Sequence, residues 1–157
     1  MRTEGTDMAG SSTNKPITLR LTLPLPPSIN EQYATVNGHR VSTTVARRFK
    51  ETVQKEVQEM KHKSNIPPEA YTQLRQGYLA LLLIFYFETP LKRDLDGGLK
   101  ITQDALCSAL GLNDNRVVSL HLLKYIDPLH PRLEVELEAL DDWQFDEEYV
   151  VHPQHQE

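Results

Sequence analysis

The stretch Tyr78–Phe87, YLALLLIFYF, is the longest apolar run in the chain and decides the fold. It has about half of the roughly 20 residues that a membrane-spanning helix needs, so a membrane protein is excluded. Continuous apolar character over this length is typical of a strand that is covered on both faces. We therefore predict a buried strand here and place the other elements around it.

Two elements are predicted upstream of this strand. Residues 17–23 alternate apolar and polar, which is the period of a half-buried strand, and the prolines at 24–27 end it. Asn37-Gly38 predicts a hairpin turn. A helix is expected from a cap at residues 42–44 to about Lys61, with one apolar stripe formed by Val45, Phe49, Val53, Val57 and Met60.

The downstream half adds a second helix and two strands. Residues 64–77 contain Pro67-Pro68 and show no clear period, so a loop is predicted there. Leu99–Leu110 is predicted as a helix that Gly111 closes. Strands are predicted over 116–125 and 132–140, the second with strict apolar and acidic alternation. This order predicts a small single-domain α/β fold, with a mixed sheet and two main helices.

Length and composition set the domain organisation. The 157 residues, 39% hydrophobic and 25% charged, suit one domain with a real core. We expect a flexible leader at 1–14, the domain at 15–140 and an acidic tail at 141–157. A single cysteine, Cys107, excludes an internal disulfide framework, and the absence of targeting signals predicts a bacterial or phage cytoplasmic protein.

The charge is divided unevenly along the chain. The net charge of −5 would argue against a nucleic-acid partner, but residues 133–157 hold nine acids and no Lys or Arg. Residues 15–132 hold 16 Lys and Arg against 11 Asp and Glu. The body is therefore basic, and a DNA or RNA partner stays open.

Three aspartates form the candidate catalytic centre. Asp94 and Asp96 follow the apolar strand, and two residues apart in an extended segment they would face the same way. Lys100 lies one helical turn later. Asp114 follows the second helix, and the return of the chain is expected to bring it to the same strand end. Carboxylates suit a hard cation such as Mg²⁺, which with a lysine suits phosphodiester hydrolysis through activated water.

A structural interpretation of the same residues is also open. Asp94 and Asp96 could form a turn and cap the helix, while Lys100 makes an ordinary helical ion pair. Asp104 could either support the metal site or simply pair with Lys100. Cys107 lies among apolar residues and is expected in the core rather than at the chemistry.

Motifs along most of the chain resemble the RusA family of Holliday junction resolvases. The first is LPLPPSIN at 23–30, followed by RDLD at 93–96 with Lys100, and DAL at 104–106. NDNRVV at 113–118 comes next, with KY at 124–125 and RLEVELE at 132–138. The resemblance covers roughly residues 17–140. Gly97 departs from it, since the family usually has Asn there.

The resemblance implies a metal-dependent endonuclease. It implies a homodimer that uses Mg²⁺ or Mn²⁺ to nick four-way DNA junctions symmetrically, in recombination and repair. Its essential acids correspond to Asp94, Asp96 and Asp114, as catalytic residues and metal ligands, and its catalytic lysine corresponds to Lys100. A two-fold dimer also suits a junction that needs two matched nicks.

Four further residues are candidates for DNA contact: Asn30, Arg47, Arg48 and Arg93. Asn30 could instead fix a turn, and the arginines could belong to a solvated helix face. Two other functions also remain open at this point. One is a non-catalytic relative that binds junctions, and the other is a Mg²⁺-dependent phosphohydrolase acting on nucleotides.

Overall fold

The computed structural model describes residues 16–64, 66–91, 93–141 and 143. The leader predicted at 1–14 lies outside the described residues, as does all of the predicted acidic tail except Asp141 and Trp143. The described chain contains six strands, four α-helices and a 3₁₀ turn at Asp114–Arg116. The strands are β1 (Thr18–Leu23), β2 (Tyr33–Val36), β3 (His39–Ser42), β4 (Tyr78–Phe87), β5 (Val117–Ile126) and β6 (Arg132–Leu140), and the helices are α1 (Ile29–Gln32), α2 (Thr44–Lys63), α3 (Pro68–Gln76) and α4 (Leu99–Leu110).

The main sheet has four strands in the order β1-β6-β4-β5. β6 runs antiparallel to both β1 and β4, whereas β4 and β5 are parallel and are connected through α4. The sheet is therefore mixed, and the predicted α/β class is confirmed. β2 and β3 form a separate hairpin around Asn37-Gly38, where both residues have positive φ.

One face of the main sheet carries the hydrophobic core. Alternate residues of β4 and β6 are buried, and they form one cluster with the buried residues of α2 and α4. The other alternate residues of β4 are only half-buried, so the prediction of a strand covered on both faces is wrong. No described helix covers that second face. Tyr86 is shielded there by neighbouring side chains, with the Arg132 guanidinium 3.8 Å from its ring centre and the Tyr125 ring at 5.5 Å.

Two helices were not predicted. Residues 68–76 were expected to be a loop, but they form α3, which begins at Pro68 because proline at the first helical position has the right φ and loses no needed donor. The four-residue α1 begins after Ser28, where Ser28 and Glu31 form a capping box.

The predicted long helix is present as α2, but its buried apolar face differs from the predicted one at the N-terminal end. Thr43 caps α2, and its side chain accepts a hydrogen bond from the Ala46 N–H. Ala46 is buried in place of Val45, which is 55% exposed beside the hairpin end of the helix. Ala46 lies on the buried face of α2, but its side chain is too small to mark an apolar stripe in the sequence.

Candidate active site

The Asp94–Asp96 segment is a turn, contrary to the extended segment predicted. The Gly97 N–H donates to the Asp94 carbonyl at 3.4 Å, and the Leu99 N–H donates to the Asp96 carbonyl at 3.0 Å. Leu95 packs against the core, while both aspartates are exposed. The acid pair therefore lies on the surface of a loop that the backbone and Leu95 hold in place.

Neither aspartate caps the following helix. Gly98 occupies the cap position of α4 and supplies no side-chain bond. Within the described ranges, the carboxylates of Asp94 and Asp96 accept no hydrogen bond and form no ion pair. The capping interpretation is therefore wrong. Two exposed carboxylates without a structural partner are available for a ligand.

Lys100 binds two other acids. Its Nζ lies 2.6 Å from Oδ1 of Asp104 and 3.5 Å from Oδ2 of Asp114. The hydrogen bond from Lys100 to Asp104, together with the charge of that carboxylate, raises the pKa of Lys100, and Asp114 acts in the same direction. The ammonium, already charged at neutral pH, therefore stays charged to higher pH and lies against both carboxylates at the surface. The predicted helical pair between Lys100 and Asp104 is present.

Asp114 does not reach the strand end that carries Asp94. β4 and β5 are parallel, with Leu79 opposite Val117 and Phe87 opposite Ile126. Asp114 lies before the first residue of β5, whereas Asp94 comes after the last residue of β4. The two aspartates therefore lie beyond opposite ends of the β4–β5 strand pair. Among the described residues, no group of three His, Cys, Asp or Glu side chains is placed to hold one metal ion. The predicted cluster of three aspartates is not assembled within this single chain.

A shallow depression lies beside the Lys100 pair. It has a volume of about 490 Å³ and is lined by Asp104, Cys107, Ser108, Gly111, Leu112, Asn113 and Asp114. Cys107 itself is buried, as predicted. Burial, followed by the charges of Asp114 and Asp104, raises the pKa of the Cys107 thiol to about 11. The thiol is therefore protonated near neutral pH and is unsuited to act as a nucleophile.

Gln32 connects the loop that carries Asp94 and Asp96, here called the acid loop, to the proline-rich segment at residues 24–27. Its side chain is only 4% exposed, and its Nε2 donates to the carbonyls of Pro27 and Gly97, both at 3.0 Å. One amide thus satisfies two backbone acceptors that lie 70 residues apart in the chain. The sequence offered no signal for this role, because an isolated glutamine in a polar stretch resembles any surface residue.

The proline-rich segment also contacts the loop directly. A Cβ atom on Gly98 would overlap the ring of Pro26, so only glycine allows this approach. Arg93 donates a hydrogen bond to the Pro26 carbonyl, and its guanidinium is 5.4 Å from the Phe87 ring centre. Burial lowers the pKa of Arg93, with the charge of Glu31 opposing that effect. These contacts assign Arg93 to loop positioning; its predicted contact with DNA is still only a prediction.

Lys124 holds the other end of the loop. From β5, its Nζ donates to the carbonyls of Arg93 at 2.8 Å and Pro90 at 3.1 Å. Lys124 therefore binds the Pro90 and Arg93 carbonyls before the acid pair, and Gln32 binds the Gly97 carbonyl after it. Lys124 was noted in the sequence as part of a family motif, but its contact with the loop depends on strand order.

The remaining DNA-contact candidates lie at the surface. Asn30 is exposed on α1, and Arg47 and Arg48 are exposed on α2. Arg47 donates to the Thr44 hydroxyl at 3.3 Å, while Arg48 has no side-chain hydrogen bond or ion pair to the rest of the described chain. All three side chains are accessible to a polyanion.

Comparison with known proteins decides the family. A sequence model of the family described as endodeoxyribonuclease RusA matches residues 24–138, which is more than half of the chain. The chain belongs to the RusA family. No curated protein matches it.

The RusA match includes every candidate residue of the site, from Asn30 to Asp114. RusA proteins are endodeoxyribonucleases that act on Holliday junctions, so the substrate class suggested by the basic body and the exposed carboxylates agrees with the family. The described part of the chain has no helix that is both long and apolar enough to cross a membrane.

Proposed function

We propose that this RusA-family chain is an active, divalent-metal-dependent endonuclease that resolves four-way junctions by paired symmetric nicks. The observation that carries the proposal is the position of Lys100. It lies in the first turn of α4, directly after the Asp94–Asp96 loop, and its ammonium is held by Asp104 and Asp114. A lysine that follows two exposed carboxylates along the chain supplies positive charge suited to a phosphate substrate.

The donor chemistry fits Mg²⁺ or Mn²⁺. Mg²⁺ is commonly held by one or two carboxylates, with waters and substrate phosphate oxygens completing its shell. Asp94 and Asp96 would hold the ion, because their carboxylates have no partner in the described chain. Asp114, the third predicted ligand, contacts Lys100 instead. A bound divalent ion would neutralise phosphate charge and promote attack by water.

The chain's own residues supply positioning and charge. Lys100 remains protonated and stabilises negative charge that develops on the phosphate oxygens as a P–O bond to water forms and a backbone P–O bond breaks. Asp104 orients Lys100. Gln32, Arg93 and Lys124 hold the loop that carries the acid pair. Exposed Arg47 and Arg48 would bind backbone phosphates.

A homodimer completes the proposal for junction resolution. A four-way junction is approximately two-fold symmetric, and two matched nicks require two active sites at a fixed spacing. Two copies of this chain related by a two-fold axis would meet that requirement. Sedimentation of the free protein and of its junction complex would measure the stoichiometry.

Strand cleavage of a synthetic four-way junction tests the proposal. The parent protein and Asp96→Asn are incubated with the junction or with a duplex of equal length, in Mg²⁺ or in chelator. We expect paired nicks from the parent in Mg²⁺ only, and none from Asp96→Asn. Glu69→Gln, on the exposed start of α3, is the control and should cleave like the parent.

A non-catalytic junction-binding protein is the second candidate. It is favoured by Gly97, which replaces the usual Asn of the family, and by the separation of Asp114 from the acid pair. Tight junction binding by the parent without nicks in either metal would select this function. Absence of both binding and cleavage would contradict both candidates.

A further inference from the structure

The β2–β3 hairpin is an exposed ribbon that does not join the main sheet. Seven of its eight strand residues are exposed, including Tyr33, Val36 and Val41. A two-stranded hairpin alone is marginally stable in water. An exposed ribbon of this kind is therefore expected to be stabilised by a bound partner. The charge of the ribbon indicates the chemistry of that partner.

The hairpin begins an unbroken basic segment. Residues 33–50 contain Arg40, Arg47, Arg48 and Lys50 and no Asp or Glu. Such an 18-residue segment is complementary to a polyanion, whereas the same segment of a second copy related by a two-fold axis would repel it. The charge complementarity favours nucleic acid over a second copy as the occupant.

Arg40 stacks on an aromatic ring of this ribbon. It lies opposite Thr35, on the same face as Tyr33 and Ser42. Its guanidinium carbon is 3.9 Å from the centre of the Tyr33 ring. When a guanidinium stacks on an aromatic ring, its N–H groups lie in the guanidinium plane and point away from the ring. Phosphate oxygens can then accept hydrogen bonds from them.

The hairpin base is fixed to the acid loop. The Thr43 N–H donates to the Gln32 carbonyl at 3.0 Å, and the Thr43 hydroxyl donates to the Glu31 carbonyl at 2.6 Å. The Gln32 side chain in turn donates to the Gly97 carbonyl, next to Asp96. A single residue thus links the ribbon to the loop that carries the candidate metal ligands.

We propose that the hairpin is a DNA-binding arm in which Arg40, positioned by Tyr33, binds a backbone phosphate of a junction arm beside the cleavage site. The inference rests on the proposed function, since it takes DNA as the substrate. A two-stranded ribbon has suitable dimensions for lying against a duplex groove. Arg40 and Tyr33 act as one unit, because the ring orients the guanidinium.

The test is DNA affinity measured by fluorescence anisotropy in chelator, over a salt series of about 50 to 200 mM. The variants are Arg40→Ala, Tyr33→Ala, the double variant and Tyr33→Phe, each with a labelled junction and a labelled duplex. Loss of one phosphate contact reduces the salt slope by about one. We expect Arg40→Ala to weaken binding by about tenfold, Tyr33→Ala to weaken it in the same direction, and the double variant to be no weaker than Arg40→Ala alone.

Lys63→Ala is the charge-matched control. Lys63 is exposed at the far end of α2, roughly 30 Å along the helix from the hairpin, and its removal should leave affinity and slope unchanged. Tyr33→Phe keeps the ring and should bind like the parent. Thermal unfolding of each variant checks that the fold is retained, since an exposed ribbon is not part of the core.

Several results would overturn the inference. Unchanged affinity and slope in Arg40→Ala would do so, as would fully additive losses for the two residues. If a variant loses DNA binding and its sedimentation also shows a changed oligomeric state, the hairpin is instead an interface between two copies of the chain. A phosphate contact also forms on a duplex. If Arg40→Ala loses equal affinity for junction and duplex, and the parent does not cleave the junction, the hairpin is a DNA-binding arm but the proposed junction resolution is wrong. A parent that binds neither DNA would reject both proposals.

Discussion

Gly98 lies so close to Pro26 that a Cβ atom at position 98 would overlap the proline ring. The contact joins the N-cap of α4 to the proline-rich segment, which lies 72 residues earlier in the chain, and it limits where the acid loop can lie. Gly97 next to it has room, since a Cβ there would be 3.5 Å from the Asp94 carbonyl oxygen.

The two adjacent glycines should therefore respond differently to alanine. Overpacking a tight contact costs about 1–3 kcal/mol, so Gly98→Ala should lower the free energy of unfolding by that amount and reduce cleavage. Gly97→Ala should change stability by less than about 0.5 kcal/mol, as substitutions outside such contacts do. Urea unfolding measures both. Equal effects would show that the Pro26 contact does not constrain the loop.

Gln32→Leu should loosen the acid loop. Loss of the amide leaves the buried Pro27 carbonyl without this donor, at a cost of about 1–3 kcal/mol, and removes the donor to the part-buried Gly97 carbonyl as well. If Asp94 and Asp96 hold a metal, its affinity should fall together with the stability. Mn²⁺ affinity, measured by calorimetry without DNA, shows whether the acid loop keeps its metal-binding geometry, and this measurement does not depend on cleavage.

A control separates this effect from general destabilisation. Leu74→Ala removes a buried side chain from α3 and should cost about 2–5 kcal/mol. Below its unfolding temperature it should bind Mn²⁺ like the parent. If both variants lose the metal equally, Gln32 has no specific role in positioning the loop.

Lys100→Gln should reduce cleavage far more than it reduces junction binding. A preorganised donor at a developing charge typically contributes about 100-fold or more to the rate, whereas one phosphate contact among many contributes less to affinity. Single-turnover cleavage with saturating protein measures the rate separately from binding. A loss confined to affinity would place Lys100 in DNA binding alone.

The alkaline limb of the cleavage profile should depend on Asp104. In the parent the hydrogen bond to Asp104 raises the pKa of Lys100 above its ordinary value of 10.5, so the active ammonium persists to higher pH. Asp104→Asn removes this contribution, and the rate should begin to fall at a lower pH. Glu59→Gln breaks a comparable Lys–Glu helix pair on α2 and should leave the profile unchanged.

Cys107 should be unreactive in the folded protein. Its thiol pKa is about 11, against 9.0 for the exposed group, so little thiolate forms at pH 8. Modification by a thiol reagent should be slow until denaturant is added. Since the unfolded thiol ionises at lower pH than the folded one, its contribution to stability is lost as the pH rises from 9 toward 11. Rapid modification of the native protein would contradict the burial.

Patterns that repeat within one element were predicted correctly. The alternation in β1 and β6, the Asn37-Gly38 turn and the glycine end of α4 each depend on neighbouring residues. α3 was missed because Pro67-Pro68 was interpreted as a break rather than a start. Spacing and family motifs select the aspartates and Lys100 as candidates without any knowledge of how they lie in space, and their catalytic roles stay predictions.

Most of the local elements, the family and the candidate residues of the site can be read from short segments, because periodicity, turn chemistry and motifs are properties of neighbouring residues. Tertiary structure alone decided which of those residues meet. Parallel pairing of β4 with β5 separates Asp114 from the strand end that carries Asp94, and it brings Lys124 to the acid loop. Gln32 acquires its role in the same way, because a buried amide must find acceptors and the fold places two distant carbonyls beside it.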